Sequence, residues 1–166
     1  MKDAVFWIRA LGLVEHPEGG FFSETYRSDE LLLNAFLPER YTGPRSFSTS
    51  IYFLLKSENI SVFHRLQSDE MWHFYKGSSL TIHVLGMDGI YKKIQLGDDI
   101  ENGEKLQAVI PRGDWFGAEV NEKASFSLTG CTVAPGFDFN DFELGEREEM
   151  IRDYPGQAEL IKRLTG

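Results

Sequence analysis

Cysteine is almost absent from this 166-residue sequence, and no apolar run is long enough to cross a bilayer. The single cysteine, Cys131, has no partner within the chain, so no internal disulfide framework is possible. Basic residues are also scarce: 17 Lys and Arg face 26 Asp and Glu, which leaves a formal net charge of -9. Nucleic acids and anionic membranes attract clustered positive charge, so neither is expected as a partner.

The N-terminal stretch places Asp3 and Arg9 among its apolar residues and offers no small-residue cleavage site. We therefore expect neither a signal peptide nor a membrane span there, and a reduced Cys131 is consistent with a cytoplasmic protein. A hydrophobic share of 42% and a charged share of 26% are typical of a globular chain, and the length predicts one domain over residues 1–166.

Helical periodicity is almost missing from the middle of the chain, where short strand-like segments follow one another. Turn formers such as Met87-Asp-Gly and Pro111-Arg-Gly-Asp separate them. The predicted strands cover residues 48–55, 60–66, 70–75, 80–85, 90–94, 107–110, 115–120 and 125–133. Many short strands with hardly a helix between them predict an all-β antiparallel barrel or sandwich rather than a parallel sheet. The barrel core is expected at about residues 20–137.

Helices are predicted only at the two ends. Residues 3–13 have apolar residues near helical spacing, and we expect this short helix to plug one end of the core. Two short C-terminal helices are expected within residues 145–165, with Pro155-Gly156 as the break between them. His16-Pro-Glu-Gly-Gly predicts a turn into an extended run over residues 21–27, and residues 28–45 predict a loop that covers part of the molecule.

The richest candidate for chemistry is the segment Phe63-His-Arg-Leu-Gln-Ser-Asp-Glu-Met-Trp-His-Phe-Tyr-Lys-Gly77. Side chains alternate between the two faces of a strand. His64 therefore shares a face with Leu66, and Glu70 shares one with Trp72 and Phe74, while His73 points the other way. This parity predicts that His64 and Glu70 face one cavity.

This segment, followed by Ile110-Pro-Arg-Gly-Asp-Trp-Phe116, resembles the two sequence motifs of the cupin superfamily. The likeness is greatest to the subfamily of uncharacterised cupins called DUF985 or Cupin_5, and it extends to His16-Pro-Glu-Gly-Gly-Phe-Phe and to residues 130–139. The resemblance implies a double-stranded β-helix, the RmlC-like jelly roll. It also implies a homodimer formed by strand pairing, with the run over residues 21–27 adding to the partner's sheet, which would cover exposed sheet edges.

Metal-binding cupins carry His-x-His, a Glu, a Gly seven residues later, and a His in the second motif. By resemblance, His64, Glu70 and Gly77 fill three of these positions, but Leu66 and Phe116 stand where the other two histidines would be. A catalytic divalent metal normally needs about three protein ligands, and Leu and Phe have no lone pair to offer. We therefore predict no metal cofactor; if a metal were bound, its ligands would be His64, Glu70 and His73.

Three interpretations of His64 and Glu70 remain open: residual metal ligands, an acid–base pair, and polar residues that only line a cleft. Tyr52 is a third candidate catalytic group, because resemblance to metal-free sugar-nucleotide epimerases implies a tyrosine opposite the histidine. The candidate ligand-binding residues are Trp72, Phe74, Leu66, Phe116 and Arg27, with Arg45 as an alternative cation. The aromatic residues are equally consistent with the barrel core, and the arginines with salt bridges.

The resulting functional hypotheses share a small-molecule ligand, for which a carbohydrate-like molecule is the candidate. The first is a metal-independent epimerase or isomerase that uses His64 and Glu70. The second is a non-catalytic binding module with the same cavity. The third is a metal-dependent oxygenase or hydrolase with an incomplete ligand set. Fold alone does not separate them.

Overall fold

Two antiparallel sheets face each other in a jelly-roll barrel in the computed structural model, which describes residues 2–166. The six strands of the first sheet, in spatial order, are β1 (Val14–Glu15), β2 (Phe21–Arg27), β5 (Thr49–Lys56), β12 (Phe126–Ala134), β7 (Asp69–Gly77) and β10 (Gln107–Ile110). The five strands of the second sheet are β13 (Phe142–Leu144), β6 (Ile60–Leu66), β11 (Trp115–Val120), β8 (Leu80–Leu85) and β9 (Tyr91–Leu96). The predicted all-β antiparallel jelly roll is therefore confirmed.

Residues 28–46, which include the loop predicted over residues 28–45, form a side arm that covers part of the molecule but not the principal cavity. The arm contains the short antiparallel pair β3 (Leu31–Leu32) and β4 (Arg45–Ser46). None of residues 28–46 is among those that line the principal cavity. Two short segments that carry no clear alternation, β1 and β13, extend the sheets beyond the core that we predicted.

The core lies between the two sheets and is built from their inward-facing positions. Phe53, Leu55, Trp72, Ile82 and Phe116 are all nearly inaccessible to solvent there. Side chains alternate between the two faces of each strand, and this decides which residues reach the core. On β11, Trp115 points outward and the next residue, Phe116, points inward; on β6, Phe63 points outward and His64 points inward.

The helices cover the outer faces of the sheets. Helix α1 (Ala4–Ala10) begins at Asp3, whose side chain accepts a hydrogen bond of 2.8 Å from the Phe6 amide. It packs on the first sheet, against Leu13, Leu54 and Leu128, instead of plugging a barrel end. Helices α2 (Arg147–Asp153) and α3 (Ala158–Arg163) pack on the second sheet through Met150 and Ile161, among others. No helix within residues 2–166 is long and apolar enough to span a membrane.

Candidate functional site

The principal cavity opens at one end of the barrel and has a volume of about 290 Å³. It lies between the two sheets, under the turn at residues 16–20 and the segment at residues 137–142. The cavity-lining residues are His16, Glu18, Phe22, Glu24, Arg27, Thr49, Ile51, Phe53, His64, Leu66, Glu70, Cys131, Val133, Phe137, Asp138, Phe139 and Phe142. Both His64 and Glu70 line this cavity and are buried. The two side chains therefore face one cavity, as strand alternation predicts.

The turn at residues 16–20 is fixed against strand β6. The Val62 amide donates a hydrogen bond of 2.8 Å to the Glu18 carbonyl, and the Gly19 amide donates one of 2.9 Å to the His16 carbonyl. Gly19 has φ +100°, and a Cβ at this position would collide with the backbone oxygen of Ile60. Only glycine allows so close an approach, and this approach directs the Glu18 side chain into the barrel.

Glu18 joins the site that the sequence placed around His64. Its Oε2 lies 3.1 Å from His64 Nε2, and its Oε1 accepts a hydrogen bond of 2.9 Å from the Ser61 hydroxyl. His64 Nδ1 lies 2.8 Å from the Val62 carbonyl oxygen. Because a carbonyl only accepts, Nδ1 carries a hydrogen, and in the neutral imidazole Nε2 presents a lone pair to Glu18.

A carboxylate oxygen that faced the lone pair of Nε2 would be repelled, so the 3.1 Å approach of the two side chains favours a proton on one of them. Burial raises the pKa of Glu18 to about 7, against the attraction of His16 and the Ser61 hydrogen bond. Burial also lowers the pKa of His64 from its ordinary value of 6.5. Both directions favour the neutral forms of the two groups, a protonated Glu18 carboxyl beside a neutral His64 imidazole.

Glu70 is the second buried carboxyl of the cavity. Burial, reinforced by the negative charge of Glu18, raises its pKa to about 7. Its Oε2 accepts a hydrogen bond of 3.2 Å from the indole Nε1 of Trp72. Cys131 also lines the cavity, and burial raises the pKa of its thiol well above the ordinary value. Two carboxyls that titrate near neutral pH thus share one enclosed space.

His16 lies beside Glu18 and among phenylalanine rings. Its Nδ1 is 3.4 Å from Glu18 Oε2 and accepts a hydrogen bond of 3.2 Å from the Glu18 amide. The imidazole packs edge-on against Phe22, with ring centroids 4.7 Å apart, and stacks on Phe139 at 6.3 Å. Burial lowers its pKa, partly offset by Glu18. The sequence pattern predicts the segment around His16 and Glu18 only as a turn, so neither side chain was among the predicted site residues.

Several predicted ligand-binding residues lie near the cavity in different roles. Leu66 and Arg27 line it. Phe116 forms the wall behind His64, with ring centroids 4.1 Å apart. Trp72 and Phe74 belong to the core between the sheets and are not among the cavity-lining residues, so the expectation that they form a ligand platform is corrected. Trp72 acts on the site through its hydrogen bond to Glu70.

Tyr52 does not face His64. Strand β5 directs Ile51 and Phe53 into the barrel, so the intervening Tyr52 points to the outer face, where it packs in the layer beneath α1. Its ring lies 6.0 Å from that of Tyr75, which is also outward-facing. The expectation that Tyr52 opposes the histidine across the cavity is therefore wrong in its geometry.

The two candidate arginines, Arg27 and Arg45, lie in different surroundings. Arg45 is buried and forms a two-pronged ion pair with Asp141, at 2.6 and 2.7 Å, so it anchors the segment at residues 137–142 instead of facing a ligand. Arg27 lies at the mouth of the cavity, where its guanidinium donates to both Glu24 carboxylate oxygens at 2.8 and 2.9 Å. Its Nη atoms also donate to the Phe137 carbonyl at 3.1 Å.

The donor set does not fit a resident metal ion. His73, the suggested third ligand, lies on the outer face of β7, with its Nε2 3.0 Å from Thr132 Oγ1 and its Nδ1 3.0 Å from Gln107 Nε2. Both ring nitrogens of His64 are engaged, by the Val62 carbonyl and by Glu18. Within residues 2–166, no group of three or more His, Cys, Asp or Glu side chains is arranged to hold a metal. We derive no step that uses one.

Comparison with known proteins agrees with the fold and the motifs. The model of the family described as "Cupin superfamily (DUF985)", or Cupin_5, matches residues 5–145. The uncharacterized protein YML079W of Saccharomyces cerevisiae is 30% identical over 153 residues, which cover 87% of this chain and 76% of that protein. The crystal structure of protein SO0799 from Shewanella oneidensis superposes with a TM-score of 0.89 at 42% identity, covering 100% of this chain and 99% of that one.

A more distant likeness concerns the fold alone. Oxalate decarboxylase from Bacillus subtilis superposes with a TM-score of 0.56 at 16% identity, over 92% of this chain and 36% of that chain. The extent of the family match, together with the jelly roll and the cavity at its motif residues, places this protein among cupins of the general small-molecule-binding kind. The chain belongs to the cupin superfamily, in the DUF985 (Cupin_5) family.

Proposed function

We propose that this cupin catalyses metal-independent proton transfer on a small, carbohydrate-like molecule, as an isomerase or epimerase does. The observation that carries the proposal is the approach of Glu18 Oε2 to within 3.1 Å of His64 Nε2, next to the second carboxyl, Glu70, in one cavity. General acid–base catalysis needs groups whose pKa values lie near the working pH. Burial raises the pKa values of the Glu18 and Glu70 carboxyls to about 7.

The chemistry would use two proton positions and no redox partner. In its ionised form, one carboxyl removes a proton from a carbon next to a carbonyl, while a protonated group on the other side donates to the carbonyl oxygen. Reversal of the two transfers at the opposite face or the neighbouring carbon regenerates the enzyme and yields the isomer. Glu70 suits the first role, and the Glu18–His64 pair suits the second, because it already holds a transferable proton.

The apolar walls support this interpretation. Leu66 and Phe116 occupy the motif positions that bring metal ligands in other cupins, and they surround His64 with hydrocarbon. Charged transition states are stabilised more strongly by fixed hydrogen-bonding groups where water is excluded. A non-catalytic binding module would use the same cavity, so turnover has to be tested directly.

The test is exchange of substrate hydrogen with solvent. The protein is incubated in D₂O with a panel of aldoses, ketoses, amino sugars, sugar phosphates and nucleotide sugars, and deuterium incorporation is followed by NMR and mass spectrometry. We expect deuterium at the carbon next to the carbonyl of a panel member, and a loss of about 100-fold or more in His64→Gln and in Glu18→Gln. His73→Gln, a histidine on the outer face of β7, is the matched control and is expected to retain full activity.

Binding of a panel member without any exchange would instead support the binding module. Exchange that persists in both His64→Gln and Glu18→Gln would contradict the assigned roles.

We also propose that the protein pairs with a second copy of itself. Exposed apolar side chains include Tyr26 on β2, Leu31, Leu33 and Phe36 on the side arm and Phe47 directly after it, all between 45% and 79% exposed. Apolar surface of this kind is typical of an interface. Light scattering at micromolar concentration is expected to give twice the chain mass of 18.9 kDa. A mass equal to one chain would contradict the proposal.

A further inference from the structure

The residues that line the cavity carry an unusual balance of charge. Four of them are carboxylic acids: Glu18, Glu24, Glu70 and Asp138. Among the lining residues that the structure describes, Arg27 is the one side chain with a permanent positive charge. It is already paired with Glu24 through two hydrogen bonds and held by the Phe137 carbonyl. The two innermost carboxyls therefore face the cavity with no permanent cation beside them.

An anionic ligand would meet like charge in this space. A phosphate or carboxylate placed next to Glu18 and Glu70 would add negative charge where burial already disfavours it. The cavity volume of about 290 Å³ lies at the lower end of the range of small-molecule sites. A nucleotide diphosphate group would have to remain outside, against Glu24 and Asp138 at the mouth.

The aromatic residues that line the cavity can bind a cation as well as an apolar group. Phe22, Phe53, Phe137, Phe139 and Phe142 all line the cavity. The last three are in mutual edge-to-face contact, with ring centroids 5.0 to 6.2 Å apart. The faces of aromatic rings attract cations, and cages of such rings with a nearby carboxylate recognise organic ammonium groups.

We propose that the ligand of this cavity is a small organic cation, whose protonated amine lies between Glu18 and Glu70 and whose apolar body packs on the phenylalanine walls. The inference names the substrate class of the proposed function and rests on the same cavity, but it does not depend on turnover. It replaces the nucleotide sugar that the family likeness first suggested by an amine-bearing molecule of monosaccharide size.

An ammonium group that binds in this cavity is expected to release protons to the solvent. A bound ammonium group stabilises the ionised form of a neighbouring carboxyl, so carboxyls with a pKa of about 7 release protons when it binds at neutral pH. The titratable and charged groups that face this position are Glu18, Glu70, His16, His64 and Cys131 inside the cavity, with Glu24, Arg27 and Asp138 at its mouth. The released fraction is measurable by titration calorimetry in two buffers of different ionisation enthalpy.

The test uses three probes of nearly equal size and different charge: benzylamine, benzyl alcohol and benzoate. Calorimetry or ligand-observed NMR at pH 7 is expected to give the tightest binding for benzylamine, at least tenfold tighter than benzyl alcohol, and the weakest for benzoate. Glu70→Gln is expected to reduce the preference for benzylamine over benzyl alcohol to below threefold. Glu39→Gln, which removes a carboxyl from an exposed turn, is the matched control and should leave the preference unchanged.

A second variant tests the aromatic wall of the cavity and does not depend on Glu70. Phe139 is 57% exposed, so Phe139→Leu leaves the core intact, yet it removes one aromatic face from the cavity. It is expected to weaken benzylamine binding several-fold more than benzyl alcohol binding. Equal affinities for all three probes, tighter binding of benzoate, or no binding of benzylamine at 10 mM would overturn the proposal. A preference for benzylamine without deuterium exchange on any amine of the panel would support this ligand class and contradict the proposed catalysis.

Discussion

Asp141→Asn is expected to lower the free energy of unfolding by about 3–5 kcal/mol, because it leaves the buried Arg45 guanidinium without its counter-charge. The two side chains are only 3% and 4% exposed, and both prongs of the ion pair are short. The arginine has two further acceptors, the Gly43 and Pro44 carbonyls, and these cannot neutralise its charge. Urea denaturation monitored by circular dichroism measures the loss.

The control lies two residues further along the chain. Glu143 pairs with Arg65 on the surface, where the two side chains are 52% and 36% exposed. Glu143→Gln is expected to change stability by less than about 1 kcal/mol. A loss below about 1 kcal/mol for Asp141→Asn would contradict the anchoring role that we assign to Arg45.

The same ion pair positions the aromatic cover of the cavity. Asp141 belongs to the segment that carries Phe137, Phe139 and Phe142 into the lining. The segment is also held where the Gly136 amide donates to the Ser46 carbonyl at 2.7 Å. Ligand binding should therefore weaken in Asp141→Asn even where the protein remains folded.

Glu70→Gln is expected to stabilise the protein at pH 8 by about 3 kcal/mol relative to the wild type, although it damages the site. Burial raises the pKa of Glu70 from 4.5 to about 7, and each unit of such a shift corresponds to about 1.4 kcal/mol. A carboxyl with a raised folded-state pKa contributes stability that is fully present below its unfolded pKa, near 4.5. That contribution is lost as the pH rises through about 7. At pH 8 the wild type therefore buries an ionised group that the amide variant lacks.

The advantage of the variant should shrink as the pH falls and vanish below about 4.5. Taking the difference between the two proteins at each pH removes the contribution of His16, whose pH dependence has the opposite sign because burial lowers its pKa. Glu39→Gln on the surface is expected to show no such pH-dependent difference. A Glu70→Gln protein that is less stable than the wild type at pH 8 would contradict the description of Glu70 as a buried carboxyl with a raised pKa.

Local alternation predicted much of the architecture and half of the site. Strands such as β6 and β7 alternate between inward and outward positions, so the inward orientation of both His64 and Glu70 followed from sequence spacing alone. The same reasoning placed His73 on the outer face of β7. Leu66 and Phe116 could be recognised as apolar replacements because they stand at fixed positions in the motifs.

Tyr52 shows where alternation gives no information. Its strand reads Ile51-Tyr-Phe-Leu-Leu55, an almost continuous apolar run, because α1 covers the outer face of the sheet and the core covers the inner one. With both faces buried, the parity of a tyrosine in this run cannot be read from its neighbours.

Glu18 and His16 were missed for a different reason. They lie more than 40 residues from His64 in the chain, and their approach depends on a positive-φ turn docking against the backbone of β6. The signal that could have found them is His16-Pro-Glu-Gly-Gly itself: paired glycines that permit close packing, directly after two titratable side chains.

The central claim is that Glu18 and Glu70 form a buried acid–base site that exchanges protons near neutral pH. Side-chain carboxyl ¹³C shifts of the glutamate-labelled protein, titrated by NMR and assigned with the Glu18→Gln and Glu70→Gln variants, test it most directly. We expect both carboxyls to titrate with midpoints near pH 7. Midpoints near 4.5 for both would contradict it.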